Sequence, residues 1–160
     1  MSARAAWRLE SLGFTAVYEY TGGKLDWMAA GLPTEGTNAK KLRAGSLARK
    51  DVPTCKLDER LGAVRERVRN LGWDAAVVVN EQKVVFGLLR AEELGLAGHL
   101  EIAQVMRPAP STFRPYVLAE EMAQMMAEHK HESSPITTSD GRLVGLLRRT
   151  DADAAAGESS

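Results

Sequence analysis

The tetrapeptide Gly87-Leu88-Leu89-Arg90 recurs as Gly145-Leu146-Leu147-Arg148, 58 residues further along the chain. The same offset aligns residues 75–79 with residues 133–137 without a gap. This repeat indicates that one supersecondary unit has been duplicated, because a single unit leaves one face of its sheet uncovered whereas two units cover each other. It therefore predicts two similar halves in a small α+β domain.

Each copy predicts the same order of elements: an extended segment, an amphipathic helix, a β-hairpin and a short helix. In the first copy four apolar residues follow the spacing of one helical stripe, Leu61, Val64, Val68 and Leu71. The matching stripe of the second copy consists of Leu118, Met122, Met125, Met126 and His129. The strands are predicted over residues 75–79, 84–89, 135–138 and 142–147, and the short helices over residues 91–96 and 150–155. The predicted fold is a pair of β-α-β-β-α repeats with pseudo-twofold symmetry.

Composition divides the chain into five parts. These are an N-terminal segment (1–35), a basic linker (36–50), the two repeats (51–104 and 105–153) and a flexible tail (154–160). The linker is polar and punctuated by glycine, which is typical of connecting segments. Its five clustered cations are Lys40, Lys41, Arg43, Arg49 and Lys50. Such a cluster either contacts a phosphate-rich partner or stays solvated, and the sequence leaves both interpretations open.

The overall composition excludes several classes of protein. Lys plus Arg and Asp plus Glu both number 21, so the zero net charge argues against binding to nucleic acid or to an anionic membrane. A single cysteine cannot form an internal disulfide, and with three histidines it cannot supply a cysteine-rich zinc site. No apolar run approaches the roughly 20 residues that span a bilayer. The composition predicts a soluble, cytoplasmic protein.

The second copy carries the most specific sequence signals. They are Val105-Met106, Ser134-Pro135-Ile136, the turn Asp140-Gly141-Arg142 that leads to Gly145, and Asp151. Together with the duplication, they resemble a tandem CBS-domain pair, or Bateman module, over about residues 51–153. The resemblance implies a non-enzymatic regulatory module that needs no cofactor. It also implies an adenosine-containing ligand, AMP, ADP, ATP or S-adenosylmethionine, in a cleft between the copies.

The same resemblance implies which residues would hold the ligand. Family members commonly use a Gly-x-x-Thr/Ser-x-x-Asp pattern, in which the acid accepts hydrogen bonds from the ribose hydroxyls. Asp151 lies six residues after Gly145 and fits the acid, whereas the first copy has Glu93 there. The predicted ligand-binding residues are Thr112, Phe113, Ser134, Pro135, Arg148 and Asp151, with Thr54, Arg90 and Glu93 as weaker candidates. The better site is therefore expected in the second copy.

The sequence departs from the family pattern at the hydroxyl position, where Arg90 and Arg148 stand in the two copies. Three interpretations remain open. The arginines contact a ligand phosphate, they fill and close the clefts, or they lay their stems on the sheet with their heads in water. With closed clefts, the pair would be a structural or dimerisation module. CBS-like pairs often dimerise through the helices that carry the apolar stripes, so a homodimer is expected.

The N-terminal segment carries a second resemblance. Its matching residues are Ser2, Ala5-Ala6, Leu9, Gly13-Phe14, Val17-Tyr18, Gly22-Gly23, Trp27, Gly31 and Pro33. The segment is similar to the end of a rhodanese, or sulfurtransferase, domain, and predicts a helix (3–12), a strand (14–19) and a helix (24–30). The catalytic loop of a rhodanese would precede Ser2, so this α-β-α fragment is expected to be inactive. It also raises the alternative that the chain is part of a longer rhodanese-CBS protein.

Two other groups of residues are expected to be structural. Cys55 lies in an extended segment without a cradle of backbone amides, so a buried apolar role is favoured over catalysis. His129 and His131 are two residues apart, which is the wrong spacing for a helical metal site. The sequence therefore predicts neither a catalytic residue nor a metal ligand.

Overall fold

The computed structural model of the chain describes residues 2–18, 23–29, 32–36 and 40–158. Its helices are α1 (Ser2–Ser11), α2 (Gly23–Ala29), α3 (Ala44–Leu47), α4 (Leu61–Asn70), α5 (Ala91–Leu94), α6 (Ile102–Val105), α7 (Ala119–Glu128) and α8 (Arg149–Glu158). Its strands are β1 (Thr54–Cys55), β2 (Ala76–Val79), β3 (Val85–Leu89), β4 (Arg107–Pro108), β5 (Ser133–Thr137) and β6 (Leu143–Arg148). No described helix is long and apolar enough to cross a membrane.

Two sheets with the same plan form the centre of the molecule. In the first sheet the order is β1-β2-β3-β4, with β1 parallel to β2 and the other pairs antiparallel. In the second sheet β5 and β6 pair antiparallel, and single bridges from Phe113 and Arg49 flank them in the places that β1 and β4 take in the first sheet. Both hairpins shift register at equivalent points, after Val78 and after Ile136. The predicted α+β fold with two similar repeats is confirmed.

The short helices α3 and α6 are exchanged between the repeats. Ala44 and Ala48, which precede the first repeat, are buried in the core of the second. Ile102 of α6, which the 58-residue offset aligns with Ala44 and so assigns to the second copy, is buried in the core of the first. The following residues continue the exchange, since Arg107 pairs with Leu88 of β3 and Arg49 bridges to Leu146 of β6 (the equivalent position). Thus part of the segment with linker composition completes the second repeat.

Glycine is required where these exchanged segments cross the hairpins. A Cβ atom on Gly145 would lie 2.7 Å from the backbone oxygen of Arg49. A Cβ atom on Gly87 would lie 2.4 Å from the sulfur of Met106 and 3.1 Å from the backbone oxygen of Arg107. The glycines of the two repeated segments therefore lie at equivalent points of β3 and β6 and are required there for the same steric reason, as the duplication predicts.

The amphipathic helices turn their apolar stripes inward. Leu61, Val64 and Val68 are buried under the first sheet, and Met122 and Met126 under the second. The prediction that Leu71 continues the first stripe is wrong, because α4 ends at Asn70 and Leu71 is 53% exposed. Likewise His129 follows the end of α7 and is exposed, with its Nδ1 atom 2.9 Å from the carbonyl oxygen of Met125.

The N-terminal segment contains the two predicted helices, as α1 and α2. The predicted strand is not found in its described part, since residues 14–18 have no strand structure; residue 19 lies outside the described residues, as do residues 30 and 31. The physical reason is that no strand among the described residues pairs with this segment, and an extended segment without a partner leaves its backbone groups unsatisfied. The indole Nε1 of Trp27 donates to the carbonyl of Pro33 at 2.8 Å, which ties α2 to the residues that follow it.

Candidate functional site

Two cavities lie where the repeats meet. The larger has a volume of about 560 Å³, within the range of about 300–1,000 Å³ usual for small-molecule sites. Its wall is charged, with three acids, Asp74, Glu92 and Glu132, and five cations, Arg90, Arg107, Lys130, Arg148 and Arg149. The excess of positive charge makes this cavity, named here the charged cleft, favourable for an anionic group.

The smaller cavity has a volume of about 170 Å³ and adjoins the charged cleft, since Arg90, Arg107 and Ser133 line both. Its remaining lining residues are Leu88, Pro110, Ser111, His131, Ser134 and Pro135. Leu88 and Arg90 belong to the first repeat and the others to the second, so this inter-repeat pocket is a composite of both. An elongated ligand could place a compact ring in the inter-repeat pocket and a charged group in the cleft.

Ser134 is the most unusual residue of the inter-repeat pocket. It is 1% exposed, and its Oγ atom has no hydrogen-bond partner among the described residues. A buried hydroxyl group without a partner is costly, and few occur in native proteins. The residue lines the pocket, so a small movement of the pocket wall would bring this buried hydroxyl into reach of a ligand there.

The two arginines at the family hydroxyl position face the charged cleft in different ways. The guanidinium group of Arg148 lies 4.2 Å from the ring centre of Trp73, a cation–π contact, and its Nη2 atom lies 3.7 Å from the carboxylate of Asp74. Arg90 donates from Nη2 to the carbonyl of Ser133 at 3.3 Å. The Nε atoms of both arginines are buried without a partner among the described residues. Each guanidinium therefore has one N–H donor that is buried and unpaired within the described part of the chain.

Glu93 is held by an arginine that follows α6, the helix that leads into the second repeat. Arg107 Nε donates to Glu93 Oε1 at 2.6 Å, and a second nitrogen of Arg107 pairs with Glu92. The backbone N–H of Arg90 also donates to Glu93, at 2.8 Å. Burial alone would raise the pKa of Glu93, but these hydrogen bonds outweigh it and hold the pKa below its usual range. The carboxylate is therefore buried, ionised and fully engaged.

Asp151 has an equivalent but more open partner. Arg49 Nε lies 3.1 Å from its Oδ2 atom. The side chain of Asp151 is 27% exposed, whereas that of Glu93 is 10% exposed. Thus both acids of the predicted ribose position pair with an arginine from the exchanged segment of the opposite repeat.

The structure distributes the predicted site residues over several places. Ser134 and Pro135 line the inter-repeat pocket together with Arg90, whereas Arg148 lines only the charged cleft. Asp151 lines neither cavity.

The remaining three predicted residues lie in or beside the extended segments that begin the two repeats. Phe113 bridges to Ile136 and packs against the second core. Thr112 is exposed, and Thr54 is exposed in β1, where its carbonyl accepts a hydrogen bond from Arg67.

The residues that sequence reasoning missed are Arg107, Ser111 and His131. A signal for Arg107 was present, because the 58-residue offset aligns it with Arg49 and so gives both copies an arginine at the same point. Burial lowers the pKa of His131 below its usual range, and the charges of Arg90 and His129 lower it further. A neutral imidazole therefore faces the inter-repeat pocket near neutral pH.

Two other expectations concern reactive groups. Cys55 is buried, and burial, followed by the charge of Glu59, raises the pKa of its thiol to about 12. A protonated, buried thiol is a poor nucleophile. Among the described residues, no group of three or more His, Cys, Asp or Glu side chains is placed to hold a metal ion.

Comparison with known proteins finds a family model that matches the second repeat. Residues 102–157 match the family model of the CBS domain. The chain is also similar to an inosine-5'-monophosphate dehydrogenase from Korarchaeum cryptofilum, with 28% identity over 111 residues that cover 68% of this chain. The match covers 23% of that enzyme, so the chain spans about a quarter of its length.

Solved structures extend the likeness to both repeats. The protein CBSX2 of Arabidopsis thaliana in complex with AMP matches with a TM-score of 0.66 and 19% identity, over 74% of this chain and 98% of that one. The CBS domain pair of protein MJ0100 in complex with 5-methylthioadenosine and S-adenosyl-L-methionine matches with a TM-score of 0.66 and 13% identity, over 75% and 99% of the two chains. The fold is that of a CBS-domain pair.

Proposed function

We propose that the chain is a regulatory module of the cytoplasm that senses an adenosine-containing ligand of the AMP or S-adenosylmethionine class between its two repeats. The observation that carries the proposal is the buried, unpartnered hydroxyl of Ser134 in the inter-repeat pocket. The ligands of CBSX2 and of protein MJ0100 support the chemical class. ADP and ATP belong to the same class.

The cavities suggest how such a ligand would lie. The nucleoside would enter the inter-repeat pocket beside Ser134 and Pro135, and its charged end would extend into the charged cleft. There the guanidinium groups of Arg90 and Arg148, which line the charged cleft, would meet a phosphate or carboxylate. The shared lining of the two cavities supports this arrangement, since Arg90 borders both.

Arg107 would have to move for the ribose to reach Glu93. Arg107 lines both cavities, whereas Glu93 behind it lines neither. Asp151 is the alternative ribose acceptor, and it would require Arg49 to move instead. In either case the ribose hydroxyls would replace an internal arginine, which links ligand binding to the exchanged segments and offers a route for regulation.

The residue substitutions Ser134→Ala and Ser139→Ala test the proposal. Ser134→Ala removes a hydroxyl that makes no internal hydrogen bond, so the free energy of unfolding should stay the same or rise. The affinity for AMP or S-adenosylmethionine should fall by about threefold to tenfold in calorimetry, the value of one neutral hydrogen bond. Ser139 lies in an exposed turn, so Ser139→Ala should change neither quantity. An affinity that Ser134→Ala leaves unchanged would count against this pocket.

A second pair of variants, Glu93→Gln and Asp151→Asn, distinguishes the two acids. The acid that binds the ribose should lose about tenfold to a hundredfold in affinity for adenosine, because charge-assisted hydrogen bonds are worth about 1.5–3 kcal/mol. The other acid should lose little. We expect the loss at Glu93, because the inter-repeat pocket lies beside its arginine.

A structural module with closed clefts is the second candidate function. The observation that favours it is that both acids are already paired inside the chain. Under this hypothesis none of AMP, ADP, ATP, adenosine or S-adenosylmethionine shifts the thermal midpoint, whereas a ligand that binds only the folded state raises it.

The homodimer stays a prediction, although the stripes of α4 and α7 are used within the chain. Their buried residues cannot also form a subunit interface, so a dimer would use exposed apolar residues next to those helices, such as Leu71 after the end of α4. Light scattering that finds only the 17.4 kDa monomer at high micromolar concentration would contradict it.

The rhodanese-like origin of residues 2–35 is a separate hypothesis, which the gene sequence upstream of Met1 tests.

A further inference from the structure

The basic cluster of residues 40–50 gathers around a third cavity that the proposed function does not use. This cavity has a volume of about 510 Å³, and four of its lining residues are Lys40, Lys41, Arg43 and Lys50. It is named here the basic pocket. Among the described residues no Asp or Glu lines this pocket, so no acidic side chain within its wall neutralises the four cations.

Two of the four cations have internal partners and two do not. Lys41 pairs with Glu120, at 3.3 Å, and Arg43 donates from Nη1 to the carbonyl of Tyr116 at 2.7 Å. Lys40 and Lys50 form no ion pair or hydrogen bond with any residue that the structure describes. Their ammonium groups therefore favour an anion that brings at least two negative charges.

The rest of the wall is apolar. Met28 and Leu32 come from the N-terminal segment, and Pro115 and Val144 from the second repeat. The backbone of α3 lies close to Pro115, because a Cβ atom on Gly45 would be 2.6 Å from the Cβ atom of Pro115. An apolar wall beside unpaired cations suits a ligand that has a compact apolar body and a charged head.

We infer that the basic pocket binds an organic phosphate monoester, with its dianionic head at Lys40 and Lys50 and its apolar body against Leu32 and Val144. This site is distinct from the inter-repeat pocket and does not depend on the adenosine-sensing proposal. The N-terminal segment then has a role of its own, since it closes one side of the site.

Hexyl phosphate is the probe, with inorganic phosphate and 1-hexanol as its two halves. In calorimetry on the full chain, hexyl phosphate should bind at least about tenfold more tightly than inorganic phosphate, and 1-hexanol should bind weakly. The double variant Lys40→Gln/Lys50→Gln should weaken hexyl phosphate by about tenfold or more, the loss of charge-assisted contacts. Leu32→Ser should weaken hexyl phosphate and leave inorganic phosphate unchanged.

The control is Lys130→Gln, which removes a cation from the charged cleft instead. It should leave hexyl phosphate binding unchanged, and the double variant should leave AMP binding unchanged. Circular dichroism melts verify that each variant folds. Hexyl phosphate that binds no better than inorganic phosphate, or that responds to Lys130→Gln and not to the double variant, overturns the inference. The protein should not co-sediment with vesicles that contain phosphatidic acid. Co-sedimentation that the double variant abolishes would indicate a lipid headgroup and overturn the inference of a soluble ligand.

Discussion

The two repeats place an acid at the same point and neutralise it to different extents. Glu93 is nearly buried, accepts hydrogen bonds from both Arg107 and the backbone of Arg90, and shares Arg107 with Glu92. Asp151 is partly exposed and has one contact, with Arg49. Both repeats therefore keep an ion pair between this acid and an arginine of the exchanged segment, but the pair is stronger at Glu93 than at Asp151. Within the described part of the chain, the inter-repeat pocket lies beside the stronger of the two ion pairs, Glu93–Arg107.

The largest expected effect comes from adding a methyl group at Gly145 and Gly87, where the exchanged segments pass over the hairpins. Gly145→Ala should lower the free energy of unfolding by about 2–3 kcal/mol, because the new Cβ atom meets the backbone of Arg49, which cannot give way. Gly87→Ala should cost about 1 kcal/mol, because its closest contact is the flexible side chain of Met106. Urea denaturation measures both. Equal costs would contradict the asymmetry.

Substitution of Arg107 and Arg49, the arginines of the exchanged segments, should show which of the two ion pairs contributes more to the free energy of unfolding. Arg107→Gln leaves the buried carboxylate of Glu93 without its main partner, so it should destabilise the chain clearly. Arg49→Gln leaves only a half-exposed carboxylate, so its cost should be below about 1 kcal/mol. The same urea titrations check the order, and a larger loss from Arg49→Gln would reverse the comparison.

The pH dependence should carry the same asymmetry. The pKa of Glu93 is lower in the folded state than its ordinary value of 4.5, so the unfolded state binds more protons near that pH. The stability that the ionised carboxylate contributes is present above about pH 4.5 and is lost as the pH falls through its lowered folded pKa. The difference in stability between the natural chain and Glu93→Gln should therefore shrink from pH 7 to pH 3. A difference that stays constant over this range would argue against the strong pair.

The smallest effect concerns the residues that follow α4 and α7. Gly72 and Lys130 lie at equivalent positions and both have positive φ, 67° and 53°. Lysine is strained in this conformation and glycine is not, so Lys130→Gly should stabilise the chain by up to about 1 kcal/mol. Gly72→Ala should destabilise it by about the same amount. Thermal melts of the two variants measure the pair, and shifts in the same direction would contradict the strain.

The sequence predicted the features that depend on local pattern and missed those that depend on packing. Helices α4 and α7 and both hairpins follow from apolar spacing and turn residues within each copy. Helix α3 has the composition of a linker, with Gly45 and Ser46 in its four residues, and forms because Ala44 fits the core of the opposite repeat. The alignment of Ala44 with Ile102, and of Arg49 with Arg107, at the repeat offset was a trace of that exchange in the sequence.

The candidate site shows the same division. Ser134, Pro135 and Arg90 are brought together, whereas the family resemblance grouped the first two with Asp151, which lines neither cavity. Two lining residues of their pocket, Leu88 and Arg90, come from the other repeat, and no spacing within one copy reveals a contact across the junction. Arg107 was missed for the same reason, since its partner Glu93 is 14 residues away in a different repeat.

The most direct test of the central claim is the stoichiometry of AMP or S-adenosylmethionine binding, measured by titration calorimetry on the natural chain and on Ser134→Ala. Because the Glu93–Arg107 and Asp151–Arg49 pairs differ in strength, we predict that one ligand molecule binds per chain, in the inter-repeat pocket, and that Ser134→Ala lowers its affinity. Two equal sites per chain would contradict the inequality of the repeats. No binding of either ligand, under conditions in which the chain is folded, would contradict the sensing function itself.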